Sequence, residues 1–134
     1  MKQILISLFL LVSILQIQAQ DSTKLIIYRP KSYEGSAMRV KLTLGEQQIK
    51  LRNNELIEIN VPVGDYRIRN ERRLLFYRKS DYLLSAKANK TYYIRYRFIR
   101  KTWYSADDFL IVDEDFAKAE IAKRPLKRNK LIKN

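Results

Sequence analysis

TYYIRYRFI, residues Thr91 to Ile99, alternates along its whole length, with Tyr92, Ile94, Tyr96 and Phe98 on one side and Tyr93, Arg95, Arg97 and Ile99 on the other. A period of two is the signature of a strand with one face in a core. This longest β run is expected to be the central strand. Upstream, Ala88-Asn89-Lys90 is a turn, and Asp81 to Ala86 is a further strand. Downstream, a polar link holding Trp103-Tyr104 and Ala106-Asp107-Asp108 leads to a last short strand, Phe109 to Val112.

The same texture extends towards the N-terminus. Lys24 to Arg29 is rich in strand formers and is stopped by Pro30, after which Ser32, Glu34, Gly35 and Ser36 form a loop. Met38, Val40, Leu42 and Leu44 share one side of the next run, with Arg39, Lys41 and Thr43 opposite. Gly45-Glu46 turns into Gln47 to Leu51, and Asn53-Asn54 turns into Glu55 to Val61, whose Ile57, Ile59 and Val61 point inward. Pro62-Val-Gly64-Asp65 is a second strong turn, followed by Tyr66 to Arg69. Between Asn70 and Lys79 the alternation is lost among Arg72, Arg73, Arg78 and Lys79, leaving a strand or a bulged edge as alternatives. Asp113 is placed to cap a short helix with Glu114 and Asp115 in its first turn and Lys118, Lys123 and Arg124 towards its end. Pro125 stops that helix, and Phe116, Ala117 and Ile121 are its expected docking residues. The expected fold is mainly β: an antiparallel β-sandwich of about seven or eight strands with one short C-terminal helix.

Three segments follow. Ile4 to Leu15 is an apolar run behind a short positive start and before a polar exit, so residues 1–19 are expected to be a secretory signal peptide ending at Ala19. The run is shorter than the about 20 residues that span a bilayer, so no transmembrane segment is expected once it is removed. Residues 20–124 are the sandwich with its helix, and residues 125–134 are a basic tail containing Leu131 and Ile132. The chain is therefore expected to be exported, to the periplasm or beyond the cell.

Composition narrows the chemistry. There is no cysteine and no histidine among the 134 residues. Thiol nucleophiles, thiolate or imidazole metal sites, disulfide staples and the Ser-His-Asp constellation are thereby excluded. With only three glycines, a phosphate-cradling loop is not visible either. Asp107, Asp108, Asp113, Glu114 and Asp115 are close in sequence, but their spacing fits no EF-hand, and a helix start explains the last three. Ser85 and Lys87 share a strand face without any sign of an oxyanion hole. Asn89-Lys-Thr91 matches a glycosylation acceptor, and a turn explains it as well. No catalytic residue, metal site or cofactor is expected.

Charge is the other strong feature: 27 Lys and Arg against 14 Asp and Glu give +13. Such a field either concentrates polyanions or keeps an exported domain in solution. The outward residues Arg39, Lys41, Arg67, Arg69, Tyr93, Arg95 and Arg97, with Trp103, are the candidate binding set, because aromatics interleaved with arginines stack on rings while neutralising anions. An ordinary solvated strand face explains the same residues. Tyr28-Arg29-Pro30 and Tyr33 are candidates for a cleft at one end of the sheet.

The segments Ile27-Tyr-Arg-Pro-Lys-Ser-Tyr-Glu-Gly-Ser-Ala37, Leu51-Arg-Asn-Asn54, Val61-Pro-Val-Gly-Asp65 and Asn89-Lys-Thr-Tyr-Tyr-Ile-Arg95 together resemble the DUF2846 family of exported bacterial domains, over roughly Lys24 to Glu120. Asn54 and Asn89 stand where that family commonly has glycine, and asparagine also accepts a left-handed turn. The resemblance implies a β-sandwich and no known activity. The expected function is an exported, non-catalytic binding or interaction module of the cell envelope. Its expected partners are an anionic glycan, a lipid headgroup or an envelope protein, with no specific nucleic acid. The alternatives are a carboxylate-based hydrolase acting on glycans, and attachment to a membrane surface through the basic tail.

Overall fold

The computed structural model describes residues 21–71, 77–78 and 81–129. Residues 1–20, which include the expected signal peptide, residues 72–76 and 79–80 of the stretch whose alternation is lost, and the tail from Lys130 with Leu131 and Ile132 lie outside them. The strands are β1 (Ser22–Arg29), β2 (Val40–Leu44), β3 (Gln47–Leu51), β4 (Glu55–Pro62), β5 (Gly64–Asn70), β6 (Tyr77–Arg78), β7 (Asp81–Ala86), β8 (Thr91–Arg100), β9 (Ser105–Val112) and β10 (Lys127–Asn129). One helix, α1 (Glu114–Lys123), precedes β10.

Two sheets form the sandwich. The larger has the order β10-β4-β1-β8-β9-β6, and the smaller the order β3-β2-β5-β7. Their inner faces close on one apolar core in which Leu25, Ile27, Ile57 and Ile94 of the larger sheet meet Leu42 and Ile68 of the smaller. Tyr92, Ile94, Tyr96 and Phe98 face this core as their alternation requires. Most pairings are antiparallel, but β1 runs parallel to β8 at the centre of the larger sheet. The chain leaves that sheet after β1, builds the β2-β3 hairpin in the other, and returns, so no hairpin fixes the direction of β1 against β8. Asn54 and Asn89 both adopt left-handed φ, at 62° and 56°, where they close the turns into β4 and β8.

The helix covers the outer face of the larger sheet. Asp113 caps it by accepting a hydrogen bond from the Phe116 backbone N–H at 2.8 Å. Ala117 is fully buried in a second apolar cluster with Tyr28, Leu56 and Tyr93, against which Ile26, Ile121 and Leu126 pack. Phe116, expected to dock, is instead half exposed. Ala117 and Ile121 are four apart and define the buried stripe, and Phe116 falls to its side.

The basic tail also departs from expectation. Lys127–Asn129 is a strand that pairs parallel with β4, with Lys127 N–H donating to Asn54 C=O at 3.0 Å and Asn129 Nδ2 to Lys50 C=O at 2.6 Å. Without it, β4 would present an unpaired edge. The folded unit therefore extends beyond Arg124 at least to Asn129.

Candidate binding surface

Strand direction sorts the loops into two groups. Because β4 is antiparallel to β1, and β8 is parallel to β1 and antiparallel to β9, the segments after β1, before β4 and between β8 and β9 emerge at one end of the sandwich. The parallel pairing of β10 with β4 brings the C-terminus of α1 to the same end. Hydrogen bonds tie these loops together. Ser32 and Asn53 bond reciprocally, Ser32 N–H to Asn53 Oδ1 at 3.0 Å and Asn53 Nδ2 to Ser32 C=O at 2.9 Å.

Charge is segregated between the two ends. The loop end carries Lys31 and Arg39 after β1, Arg52 before β4, Arg100 and Lys101 in the β8-β9 hairpin, and Lys123 and Arg124 at the close of α1. Its acids are Glu34, Glu55 and Glu71, with Asp81 at the start of β7 and Glu120 in the last part of α1. The opposite end has Asp21, Glu46, Asp65 and the helix start Asp113, Glu114 and Asp115, with Lys87 and Lys90. The cationic loops also bear exposed aromatic side chains: Tyr33 is 97% exposed and Trp103 is 85% exposed.

A buried arginine holds the largest of these loops. Arg29 is in phase with Leu25 and Ile27 on β1 and is only 2% exposed. Its Nη1 donates to Met38 C=O at 2.7 Å and its Nη2 to Gly35 C=O at 2.6 Å, while its guanidinium lies 5.5 Å from the centre of the Tyr96 ring. Gly35 has φ of 67°, and a Cβ there would come within 2.9 Å of the Phe98 ring, so the loop sits tight on the end of β8. Beside this, Asn70 and Tyr96 both donate to the buried Asp107 carboxylate.

Between α1 and the larger sheet runs a cleft of ≈ 400 Å³. Tyr28, Pro30 and Phe116 line it together with the cations Lys31, Lys123 and Arg124. Within it Glu120 accepts from Arg95 Nε at 2.9 Å, from Arg95 Nη2 at 2.7 Å and from the Tyr28 hydroxyl at 2.8 Å. Burial, then the hydrogen bond to Glu120, pushes the Tyr28 phenol well above its ordinary range. Burial alone would raise the Glu120 carboxyl, but the Arg95 and Tyr28 hydrogen bonds and the Arg95 charge outweigh it and hold it below its ordinary value.

The expected binding set does not form one surface. Lys41, Arg67 and Arg69 lie on the outer face of the smaller sheet, and Tyr93, Arg95 and Arg97 on the outer face of the larger, so the two groups point away from each other. Alternation fixes which side of its own sheet a residue takes; it does not assign a strand to a sheet. Tyr93 is 7% exposed beneath α1 and is no surface residue. Arg67 and Arg69 converge on Asp81 at 3.6 and 3.3 Å, Arg97 pairs with Asp108 at 2.6 Å, and Arg95 is committed to Glu120. Arg39 and Lys41 border a hollow at the loop end with Glu71, and Trp103 lies in the β8-β9 hairpin at that end. Tyr28, Pro30 and Tyr33, the cleft candidates of the sequence, do lie at this end. The residues missed in the sequence are Lys31, Arg100, Lys101, Lys123 and Arg124, which stand in loops or at element ends, where alternation carries no register.

The acidic stretch from Asp107 to Asp115 is dispersed. Asp107 faces the core, Asp108 faces out to Arg97, Asp113 caps α1, and Glu114 pairs with Lys118 one turn on. Among the described residues no group of three or more acidic side chains is arranged to hold a metal ion. The chain matches no protein-family model, no curated protein and no solved structure, so the likeness to DUF2846 rests on the turn and strand-end residues quoted above.

Proposed function

We propose that this chain is an exported, non-catalytic binding module that takes anionic components of the cell envelope at the loop end of its sandwich. The segregation of cations to that end, with Tyr33 and Trp103 exposed among them, carries the reading. A one-sided field steers a polyanion to a single surface, whereas charge kept only for solubility has no need of a direction. The sheet faces offer less, because Arg67, Arg69, Arg95 and Arg97 already neutralise carboxylates. The cleft beside α1 adds Lys31, Lys123 and Arg124 alongside Tyr28 and Phe116, a suitable setting for an anionic group on a ring or short chain.

Retention on an immobilised sulfated polysaccharide at low salt, followed by elution with added salt, tests this reading. The protein is expected to bind and to elute as exposed charge pairs become screened. Replacing Lys31, Lys123 and Arg124 by glutamine should bring elution to lower salt. Passage of the unaltered protein without retention at low salt would remove the proposal.

A further inference from the structure

We infer that the anionic component is the surface of a phospholipid bilayer, on which the loop end docks with Trp103 and Tyr33 seated among the headgroups. This rests on the reading that the loop end binds anions. Three observations favour a bilayer over a glycan chain. First, the aromatic side chains protrude: Tyr33 is 97% exposed and Trp103 85% exposed, so neither lines a recess. A sugar-binding aromatic is part of a concave site that surrounds its ligand and gives up much of its own surface to the walls. A bilayer needs no recess, and Trp and Tyr favour its interfacial layer because each ring has an apolar body and a polar atom.

Second, cations adjoin the rings in sequence and at the same end. Arg100 and Lys101 precede Trp103 in the β8-β9 hairpin by three and two positions, and Lys31 precedes Tyr33 by two. Aromatic insertion plus cationic contact is the two-part signal that holds a protein on an anionic leaflet without a spanning segment. Among the described residues no helix is long and apolar enough to cross a membrane.

Third, the inserting loops are braced. Lys101 N–H donates to Tyr104 C=O at 2.8 Å across the hairpin, and Arg29 fixes the carbonyls of Gly35 and Met38 in the neighbouring loop. Braced tips present their rings without a large ordering cost on binding. The acidic opposite end points away from the leaflet in this orientation, which favours one pose.

Trp103 is the only tryptophan, so its fluorescence reports on the hairpin alone. The protein purified after export, with its leader removed, would be mixed with phosphatidylcholine vesicles with and without phosphatidylglycerol. Cosedimentation with the anionic vesicles, a blue shift of Trp103 emission and quenching by brominated lipid are expected, with none of these on neutral vesicles. Two exposed cations near the surface contribute enough that the Arg100→Gln, Lys101→Gln double variant should partition roughly thirtyfold less. Tyr33→Ala, read by sedimentation, should also weaken partitioning, and its side chain is too exposed for folding to depend on it. Binding to the sulfated polysaccharide without binding to anionic vesicles would overturn the bilayer assignment and leave the anion-binding reading standing. Binding to neither would overturn both. Vesicle binding with Trp103 emission unmoved would overturn the docking pose.

Discussion

Arg95 grips Glu120 from the centre of the larger sheet, with Nε at 2.9 Å and Nη2 at 2.7 Å from the carboxylate, and so fastens α1 across the strands. The side chains are 22% and 25% exposed, which leaves the pair largely shielded from water. Removing one partner strands the other: Glu120→Gln should lower unfolding free energy by about 1–3 kcal/mol in a urea titration. Replacing both with apolar residues of similar size should cost less than either single change, because no buried charge is left alone.

The same trio sets a pH window. Glu120 is held below its ordinary value of 4.5, so its contribution is fully present above that value and is lost as pH falls through the depressed one. The Tyr28 phenol is raised above its ordinary 10.0, so its contribution is present below that value and is lost as pH climbs beyond it. Stability measured across pH should decline at both extremes. Glu120→Gln should flatten the acid limb specifically.

The loop after β1 should fail at a single methyl group. Gly35→Ala places a Cβ within 2.9 Å of the Phe98 ring at a left-handed φ of 67°. A loss of at least about 1 kcal/mol is expected from the backbone conformation alone. Faster proteolytic cleavage between Pro30 and Arg39 would register the loosened loop. Arg29→Met removes the clamp itself and should do the same without the steric conflict.

At the other end of the molecule, Asp113→Ala deletes the cap of α1 and should cost about 1 kcal/mol. Asp113→Asn keeps an acceptor for the Phe116 N–H and should restore most of it. The two melting curves read out the difference.

Much of the fold was legible because Val40 to Leu44, Ile57 to Val61 and Tyr92 to Phe98 alternate cleanly, and Asp113 and Pro125 bracket a helix. The edge strand Lys127–Asn129 was not, since three polar residues carry no period and form a strand only because β4 lies open beside them. Tyr93 was misplaced for a related reason. Its outward position was read correctly, but Ala117 and Ile121 turn that outer face into a second interior. The binding set scattered because strand pairing, which only tertiary contacts decide, sent β5 and β8 to different sheets. Arg29, by contrast, was within reach: its phase with Leu25 and Ile27 places a charge in the core, where it needs the carbonyl partners it has.

Side-by-side titration of a soluble sulfated polysaccharide onto two charge variants separates the loop end from the sheet faces. The first carries Arg100→Gln, Lys101→Gln and Arg124→Gln; the second carries Arg67→Gln and Arg69→Gln. Affinity should fall by about tenfold or more in the first and by only a few-fold in the second, in keeping with exposed cations against ones already paired to Asp81. An equal or larger loss in the second would place binding on the face of the smaller sheet and contradict a directed cationic end.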